Sequence, residues 1–177
     1  MIDGTIALRE GEQVDAGALL AWLARALPEL VPAGARLLIR QFPAGFSNLT
    51  YLVTIEPEHE HEHGRRALVL RRPPRGVKTG VAHDMGREHG ILTALHPSGV
   101  PVPKPLARCD DAAVIGAPFY LMEHVDGVIL RGTLPASFTE NAAAVPGTLA
   151  ALSQTFVRTL AQLHAVDVST EPLASLG

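Results

Sequence analysis

The sequence predicts an α+β protein in which a five-stranded antiparallel sheet contains one inserted helix. Three short runs rich in apolar and β-branched residues occupy 35–42, 48–56 and 66–72, and turn or breaker residues bound each of them. Residues 83–96 then carry apolar side chains at helical spacing. Two more strand-like runs follow within residues 105–125. We therefore expect three strands, one helix and two strands in this order, with a further helix before the sheet and another after it.

The composition excludes several classes of function. The 177 residues are 47% hydrophobic and 19% charged, which is sufficient to bury a core, and the net charge of −3 offers no basic footprint for nucleic acid. The single cysteine, Cys109, excludes an internal disulfide and fits a reducing compartment, where we expect it to pack as a small apolar residue. The sequence has no secretory signal pattern at its start and no apolar run of ~18 residues that could cross a membrane. A soluble cytoplasmic protein without nucleic-acid or membrane partners is expected.

The first predicted element is an amphipathic helix that begins after Asp15, a residue type favoured at helix N-caps. Pro28 and Pro32 end the segment, since proline lacks the N–H that a helix interior requires. We expect this helix to pack against another element and to carry no chemistry of its own. Its apolar positions are Leu19, Leu20, Leu23, Ala26 and Leu27.

The next three runs predict a meander of antiparallel strands joined by two hairpins. Residues 43–47 form the turn between the first and second strands, and the charged segment 57–64 forms the turn between the second and third. Pro73 and Pro74 end the third strand. The helix at 83–96 follows, with Met85, Ile91, Leu92 and Leu95 on roughly one face, although two glycines weaken its helical propensity.

The segment after this helix is extended because three prolines occur within residues 100–105. The fourth and fifth strands follow and turn at Asp110 and Asp111, and the fifth, 118–125, leads into a linker-like stretch. A last helix is predicted at 149–166. Its apolar side chains lie on one side: Leu149, Leu152, Phe156, Leu160 and Leu163.

The turn between the first two strands contains Gly45, Ser47 and Asn48, with Thr50 just beyond it. A glycine lets the backbone approach a ligand closely, and the exposed N–H groups and side chains around it can hold phosphate oxygens. The same residue types are common in ordinary hairpin turns, so that alternative stays open.

Four sequence runs are informative through their order and spacing along the chain: GFSNLTY (45–51), LVLRRPP (68–74), REHGILTAL (87–95) and LMEHVDG (121–127). Together they resemble the N-terminal lobe of the aminoglycoside-phosphotransferase-like, protein-kinase-like superfamily. They look most like the branch of kinase-like domains that are fused to acyl-CoA dehydrogenases. The resemblance covers about residues 35–165.

This resemblance implies an N-terminal helical extension at 1–34, a nucleotide-binding N-lobe at 35–126, and a linker with the start of a helical C-lobe at 127–177. It implies ATP or GTP with Mg²⁺ as the cofactor. Arg71 stands where a kinase lysine holds phosphates, Glu88 is its partner, and the hinge that reads the base lies around Glu123 and Val125. The implied nucleotide-binding residues are Gly45, Ser47, Asn48, Thr50, Val69, Arg71, Glu88, Met122, Glu123 and Val125.

The catalytic loop of that superfamily, a His-Gly-Asp run followed by a metal-binding Asp, does not occur in this sequence. The general base and the Mg²⁺ ligands are therefore expected outside it, and no catalytic residue is assigned. The favoured hypothesis is the nucleotide-binding half of an ATP-dependent kinase that phosphorylates a hydroxyl group of a small molecule, nearly inactive alone. The alternative is a non-catalytic nucleotide-binding or partner-docking module. With no C-lobe behind it, the helix at 149–166 would expose its apolar side, which would favour self-association.

Two other groups of residues could suggest metal binding. Residues 58–63 alternate glutamate and histidine, but a hairpin tip would leave these side chains in solvent, and a solvated loop is the favoured interpretation. Asp110 and Asp111 suit a turn between strands better than a metal pair. We therefore predict no metal site within this chain.

Overall fold

Five strands form one antiparallel sheet in the computed structural model of the chain, which describes residues 4–43, 47–58, 64–74, 76, 83–130, 134, 136–140, 143, 145–169 and 173–176. The predicted sheet with a helix inserted after the third strand is confirmed. The strands are β1 (Arg36–Gln41), β2 (Leu49–Glu56), β3 (Arg66–Arg72), β4 (Pro105–Cys109) and β5 (Phe119–Glu123), in the spatial order β1-β2-β3-β5-β4. The helices are α1 (Ala16–Ala26), α2 (Met85–Leu95), α3 (Ala136–Thr139) and α4 (Val145–His164).

The register of the strands assigns each side chain to one of two faces. Arg71 pairs with Thr50 on β2 and with Tyr120 on β5, whereas Leu70 pairs with Tyr51 and Leu121. Successive side chains in a strand point to opposite faces. We call the face that carries Arg71 and Tyr120 the front face and the face that carries Leu70 the back face.

The back face and α1 together enclose the main hydrophobic core. Leu19 and Leu23 of α1 have no solvent exposure, and the ring of Trp22 meets Phe119 edge-on with 4.9 Å between ring centroids. The predicted N-cap is confirmed, because Oδ1 of Asp15 accepts a hydrogen bond from the backbone N–H of Ala18 at 2.9 Å. The back-face members of this core include Tyr51, Val53, Ile55, Leu68, Leu70, Cys109, Phe119 and Leu121.

Helix α2 lies against the front face. It begins one residue after Asp84, whose Oδ1 caps it by accepting from the backbone N–H of Arg87 at 2.8 Å. Met85 is buried, while the other apolar positions predicted for its packing face are only half-buried. The ring of His89 meets Tyr120 edge-on at 5.9 Å, which brings the first half of α2 beside β5. The side chains of α2 thereby reach the ends of β3 and β5.

A buried arginine joins the back face to two irregular segments. The side chain of Arg72 has no solvent exposure, and its guanidinium lies 5.3 Å from the ring centroid of Tyr51. Its nitrogens donate to the hydroxyl of Tyr51 at 3.0 and 3.2 Å, to the carbonyl of Ile115 at 3.0 Å and to that of Glu12 at 2.9 Å. The segment before α1, strand β2 and the β4–β5 connection therefore meet at one guanidinium.

Helix α4 begins four residues earlier than the sequence predicted, at Val145 instead of residue 149. Pro146 occupies the first turn, where the missing N–H of proline costs no helical hydrogen bond. None of the described residues of α4 is buried, and Phe156 is 69% exposed. Leu152 of the predicted apolar side is half-buried, and the other four predicted side chains are exposed: Leu149, Phe156, Leu160 and Leu163. Among the described helices, none combines the length and hydropathy needed to cross a membrane.

Candidate functional site

An open cleft of about 890 Å³ lies where β3 and β5 meet the irregular segment that follows β5. Four of the residues predicted to bind nucleotide line this cleft: Val69, Met122, Glu123 and Val125. The rest of its wall comes from several segments: Gly4, Phe42 and Pro43 just after β1, Pro103 before β4, His124, and residues 126–129. The structure thus brings the predicted strand and hinge residues into one concave surface.

The floor of the cleft is apolar because Val69 and Met122 are partners across β3 and β5. Cross-strand partners share a face, so both side chains point to the front of the sheet. Val69 is 7% exposed and Met122 is half-buried. Such a surface can pack against the flat face of an aromatic base.

The rim of the cleft is anchored at Glu123. Its backbone N–H donates to the carbonyl of Lys104 at 2.9 Å, and its Oε1 accepts from the backbone N–H of Lys104 at 2.8 Å. The residues from 124 to 130 then form neither helix nor strand, and Val125 is 60% exposed. The segment predicted to form the hinge is therefore a hydrogen-bonded strand end followed by irregular backbone, and its role as a hinge stays a prediction.

Arg71, which lies two residues after Val69 on β3, forms the predicted ion pair with Glu88 of α2. The Nε atom of Arg71 lies 3.3 Å from Oε2 of Glu88, and the two side chains are 32% and 28% exposed. The Nε–H is not aligned with the carboxylate, so this buried nitrogen has no hydrogen-bond partner in the described part of the chain. The guanidinium therefore keeps donor capacity that the protein does not use here.

The Glu88 carboxylate has two further partners that sequence reasoning missed. Asn48 donates from Nδ2 to Oε1 of Glu88 at 2.7 Å, and the hydroxyl of Tyr120 donates to Oε2 at 3.0 Å. The Nδ1 atom of His83 lies 2.9 Å from Oδ1 of Asn48. We call Asn48, Arg71, Glu88 and Tyr120 the Glu88 cluster. The sequence places Tyr120 within the predicted fifth strand without a role, and only its pairing with Arg71 across the sheet indicates this contact.

Burial shifts the pKa of two aromatic groups, Tyr120 in the Glu88 cluster and His89 beside it. Burial raises the pKa of Tyr120 well above its usual range; the nearby charge of Arg71 opposes this shift and Glu88 reinforces it. The phenol consequently stays protonated and remains a donor to Glu88. Burial also lowers the pKa of His89, and the charge of Arg108 lowers it further, which favours the neutral imidazole beside Tyr120.

The turn predicted to grip phosphates is described only in part. Gly45 lies outside the described residues, Ser47 is exposed and Thr50 is half-buried on the front face beside Arg71. Asn48 is only 3% exposed, and both ends of its amide are engaged, with Glu88 and His83. Its side chain thus points into the protein. The nucleotide contacts assigned to this turn stay predictions.

The two groups considered for metal binding were Asp110 with Asp111 and the glutamate–histidine run at 58–63. Asp110 and Asp111 lie between β4 and β5 as predicted, and Oδ1 of Asp111 accepts from the backbone N–H of Ala113 at 2.8 Å, a turn contact. Histidines 59, 61 and 63 lie outside the described residues, so the interpretation of that segment stays a prediction. Within the described ranges, no three His, Cys, Asp or Glu side chains are grouped as a metal site.

Comparisons with known proteins show the family to which the chain is similar. The family model described as "Phosphotransferase enzyme family" matches residues 38–177. Acyl-CoA dehydrogenase family member 11 of Gallus gallus is 38% identical over 176 residues, which cover 98% of this chain and 21% of that protein. Acyl-CoA dehydrogenase family member 10 of Mus musculus is 36% identical over 138 residues, or 77% of this chain and 12% of that protein.

A solved structure is also similar, that of a candidate aminoglycoside phosphotransferase from Ralstonia eutropha. It is 30% identical with a TM-score of 0.49, and the match covers 75% of this chain and 37% of that one. The chain spans about a fifth of the length of the first curated relative. The family match and the dehydrogenase relatives confirm the resemblance that the sequence motifs indicated.

Proposed function

Because the chain belongs to the phosphotransferase enzyme family, we propose that it is the nucleotide-binding half of an ATP-dependent kinase acting on a hydroxyl group of a small molecule. The observation that supports this most directly is that Val69, which lines the cleft, shares one face of β3 with Arg71, which forms an ion pair with Glu88. Val69 and Arg71 lie two residues apart on the same face of β3, about 7 Å along the strand. A ligand with a flat apolar end and an anionic end fits this arrangement.

In this proposal each part of the site has a distinct task. Val69 and Met122 pack on the base, and the backbone after Glu123 reads its polar edge. Arg71 presents an always-charged planar fork to the phosphate oxygens, a geometry that suits bidentate contact. Mg²⁺, when bound with the nucleotide, would neutralise phosphate charge, and its protein ligands would lie outside this sequence.

The same proposal limits what this chain does alone. Phosphoryl transfer depends mainly on positioning and on charge neutralisation at the transferred group. The sequence contains no His-Gly-Asp run that could supply the general base. We therefore expect binding without turnover, and the acceptor is proposed only as an alcohol.

Calorimetric titration of the chain with ATP, with and without Mg²⁺, tests the proposal. We expect a Kd in the range of about 1 μM to 1 mM, which is typical of enzyme substrates. Adenosine and tripolyphosphate should each bind more weakly than ATP, because each occupies only one end of the site. Phosphate release should stay at background in the same samples. Absence of ATP binding at millimolar concentrations would contradict the proposal, as would turnover that Arg71→Ala abolishes.

The exposed apolar side of α4 favours the second candidate, a partner-docking module, and predicts self-association of the isolated chain. Phe156 and Leu160 are 69% and 40% exposed and lie one helical turn apart. The double variant F156Q/L160Q should shift the chain towards monomer in size-exclusion chromatography with light scattering. Q154E, an exposed polar position on the same helix, serves as the control. A wild-type chain that elutes as a clean 18.8 kDa monomer at high concentration would refute this expectation.

A further inference from the structure

We propose that Asn48 and Tyr120 are positioning residues that orient Glu88 and, through Glu88, set the direction of the Arg71 guanidinium. The inference concerns the geometry of the Glu88 cluster, and its consequence for ligand affinity rests on the proposed function. It assigns Asn48 a role inside the protein instead of a direct contact with phosphate.

The carboxylate of Glu88 is held at both of its oxygens. Asn48 donates to Oε1 at 2.7 Å from the residue just before β2, and Tyr120 donates to Oε2 at 3.0 Å from β5. Rotation of the carboxylate would break at least one of these bonds. Arg71 approaches Oε2 at 3.3 Å from β3, which lies between the other two strands. Neutral donors thus fix the carboxylate without cancelling the charge that attracts Arg71.

Burial decides which of these contacts provide the rigidity. Asn48 and Tyr120 are 3% and 2% exposed, so water cannot readily replace them. The side chains of Arg71 and Glu88 are each about one-third exposed, and the Nε of Arg71 makes no hydrogen bond to Glu88, so the ion pair by itself fixes the geometry less firmly than the two hydrogen bonds do. Because burial raises the pKa of Tyr120, the phenol keeps its proton and its donor role over the physiological range.

His83 fixes the orientation of the Asn48 amide. With Nδ2 of Asn48 donating to Glu88, its Oδ1 must accept, and Nδ1 of His83 lies 2.9 Å away in the position of the donor. The reversed amide would direct a carbonyl oxygen at the carboxylate, which is repulsive. A chain of contacts from His83 through Asn48 and Glu88 therefore connects the start of α2 and the β1–β2 turn to Arg71.

The experiment compares Tyr120→Phe and Asn48→Ala with wild type. Tyr51→Phe is the matched control, because it also removes one buried tyrosine hydroxyl from the sheet, but on the back face. The first readout is the Nε–Hε resonance of Arg71 in nucleotide-free protein, identified by its loss in Arg71→Lys. We expect a distinct, ordered resonance in wild type and Tyr51→Phe, and a shift towards the averaged arginine position in the two test variants.

The second readout is the Kd for ATP, measured in the wild-type and Arg71→Ala backgrounds. Tyr120→Phe and Asn48→Ala should each weaken binding about three- to tenfold in the wild-type background and less than twofold in Arg71→Ala. A residue that acts through Arg71 loses its effect when Arg71 is absent, whereas a residue that touches the ligand keeps it. Equal losses in both backgrounds would overturn the positioning role.

The two readouts separate the inference from the proposed function. A wild-type chain that binds no ATP would refute the proposed function, and the Arg71 resonance would still decide the inference. An unchanged resonance in both test variants refutes it, whatever the affinity for nucleotide. Tyr120→Phe keeps the aromatic ring and its packing, so a loss of fold is not expected to obscure the result.

Discussion

Replacement of Arg71 by alanine is expected to weaken ATP binding about ten- to a hundredfold. A hydrogen bond between charged groups contributes about 1.5–3 kcal/mol, and each 1.4 kcal/mol corresponds to a tenfold change in Kd. Arg71 is one-third exposed and shares the front face of β3 with Val69, which lines the cleft, so an anionic group of a ligand in the cleft can approach its guanidinium. Titration calorimetry with ATP measures the change directly.

The Arg71→Ala variant should keep its fold. Glu88, the partner left behind, retains its hydrogen bonds from Asn48 and Tyr120, so no carboxylate is stranded without donors. Arg71→Lys should give an intermediate Kd, because it keeps the charge but loses the planar fork.

The matched control is Arg66→Ala. Arg66 lies on the same strand, is exposed and belongs to the back face by alternation, so its removal changes the net charge equally without touching the cleft. ATP affinity within twofold of wild type in Arg71→Ala would contradict the role assigned to this cation. An equal loss of affinity in Arg66→Ala would reduce the effect to overall charge.

Replacement of Arg72, the residue after Arg71, by methionine is expected to lower the free energy of unfolding by about 3–5 kcal/mol. Methionine fills a similar volume but donates no hydrogen bond, so the carbonyl of Ile115 loses its donor in the interior. The carbonyl of Glu12 and the hydroxyl of Tyr51 lose their bonds from Arg72 and keep only the bond that joins them to each other, at 2.8 Å. A buried polar group left unsatisfied costs about 1–3 kcal/mol, and partial relaxation keeps the sum below the full total. Urea unfolding followed by circular dichroism measures the loss.

Two comparisons test the origin of the Arg72 effect. Tyr51→Phe removes the hydroxyl that accepts from this guanidinium and donates to the carbonyl of Glu12, while Arg72 still donates to that carbonyl, and it should cost about 1 kcal/mol. Arg66→Met makes the same chemical change at an exposed position of β3 and should change stability by less than about 0.5 kcal/mol. If Arg72→Met unfolds at the same urea concentration as wild type, the contacts of Arg72 do not stabilise the fold as proposed.

The elements could be predicted because their signals are local. The alternation of apolar residues in β2 and β3, the prolines that end α1 and β3, and the aspartate before α1 each act within a few residues. These signals were sufficient for the order of strands and helices and for the N-cap at Asp15. The start of α4 was missed because its first turn contains a proline, which ends a helix at most other positions.

The candidate site was predicted less completely because local sequence signals do not show which distant residues meet. The motif order identified Arg71 and Glu88 as partners, and they form an ion pair. It could not indicate that Tyr120 and Asn48 reach the same carboxylate, since these contacts join residues 32 and 40 positions apart. A buried asparagine and a turn asparagine look identical in a sequence.

The sequence by itself determined the family, the order of the elements and the cation–carboxylate pair, because motif order and short-range periodicity carry that information. Only the tertiary structure decided that Arg71 and Arg72, neighbours in sequence, have opposite surroundings. Alternation along β3 turns Arg71 to the front face, while Arg72 enters the core and reaches a carbonyl 60 residues away. The register between distant strands sets these partners, and no local pattern encodes that register.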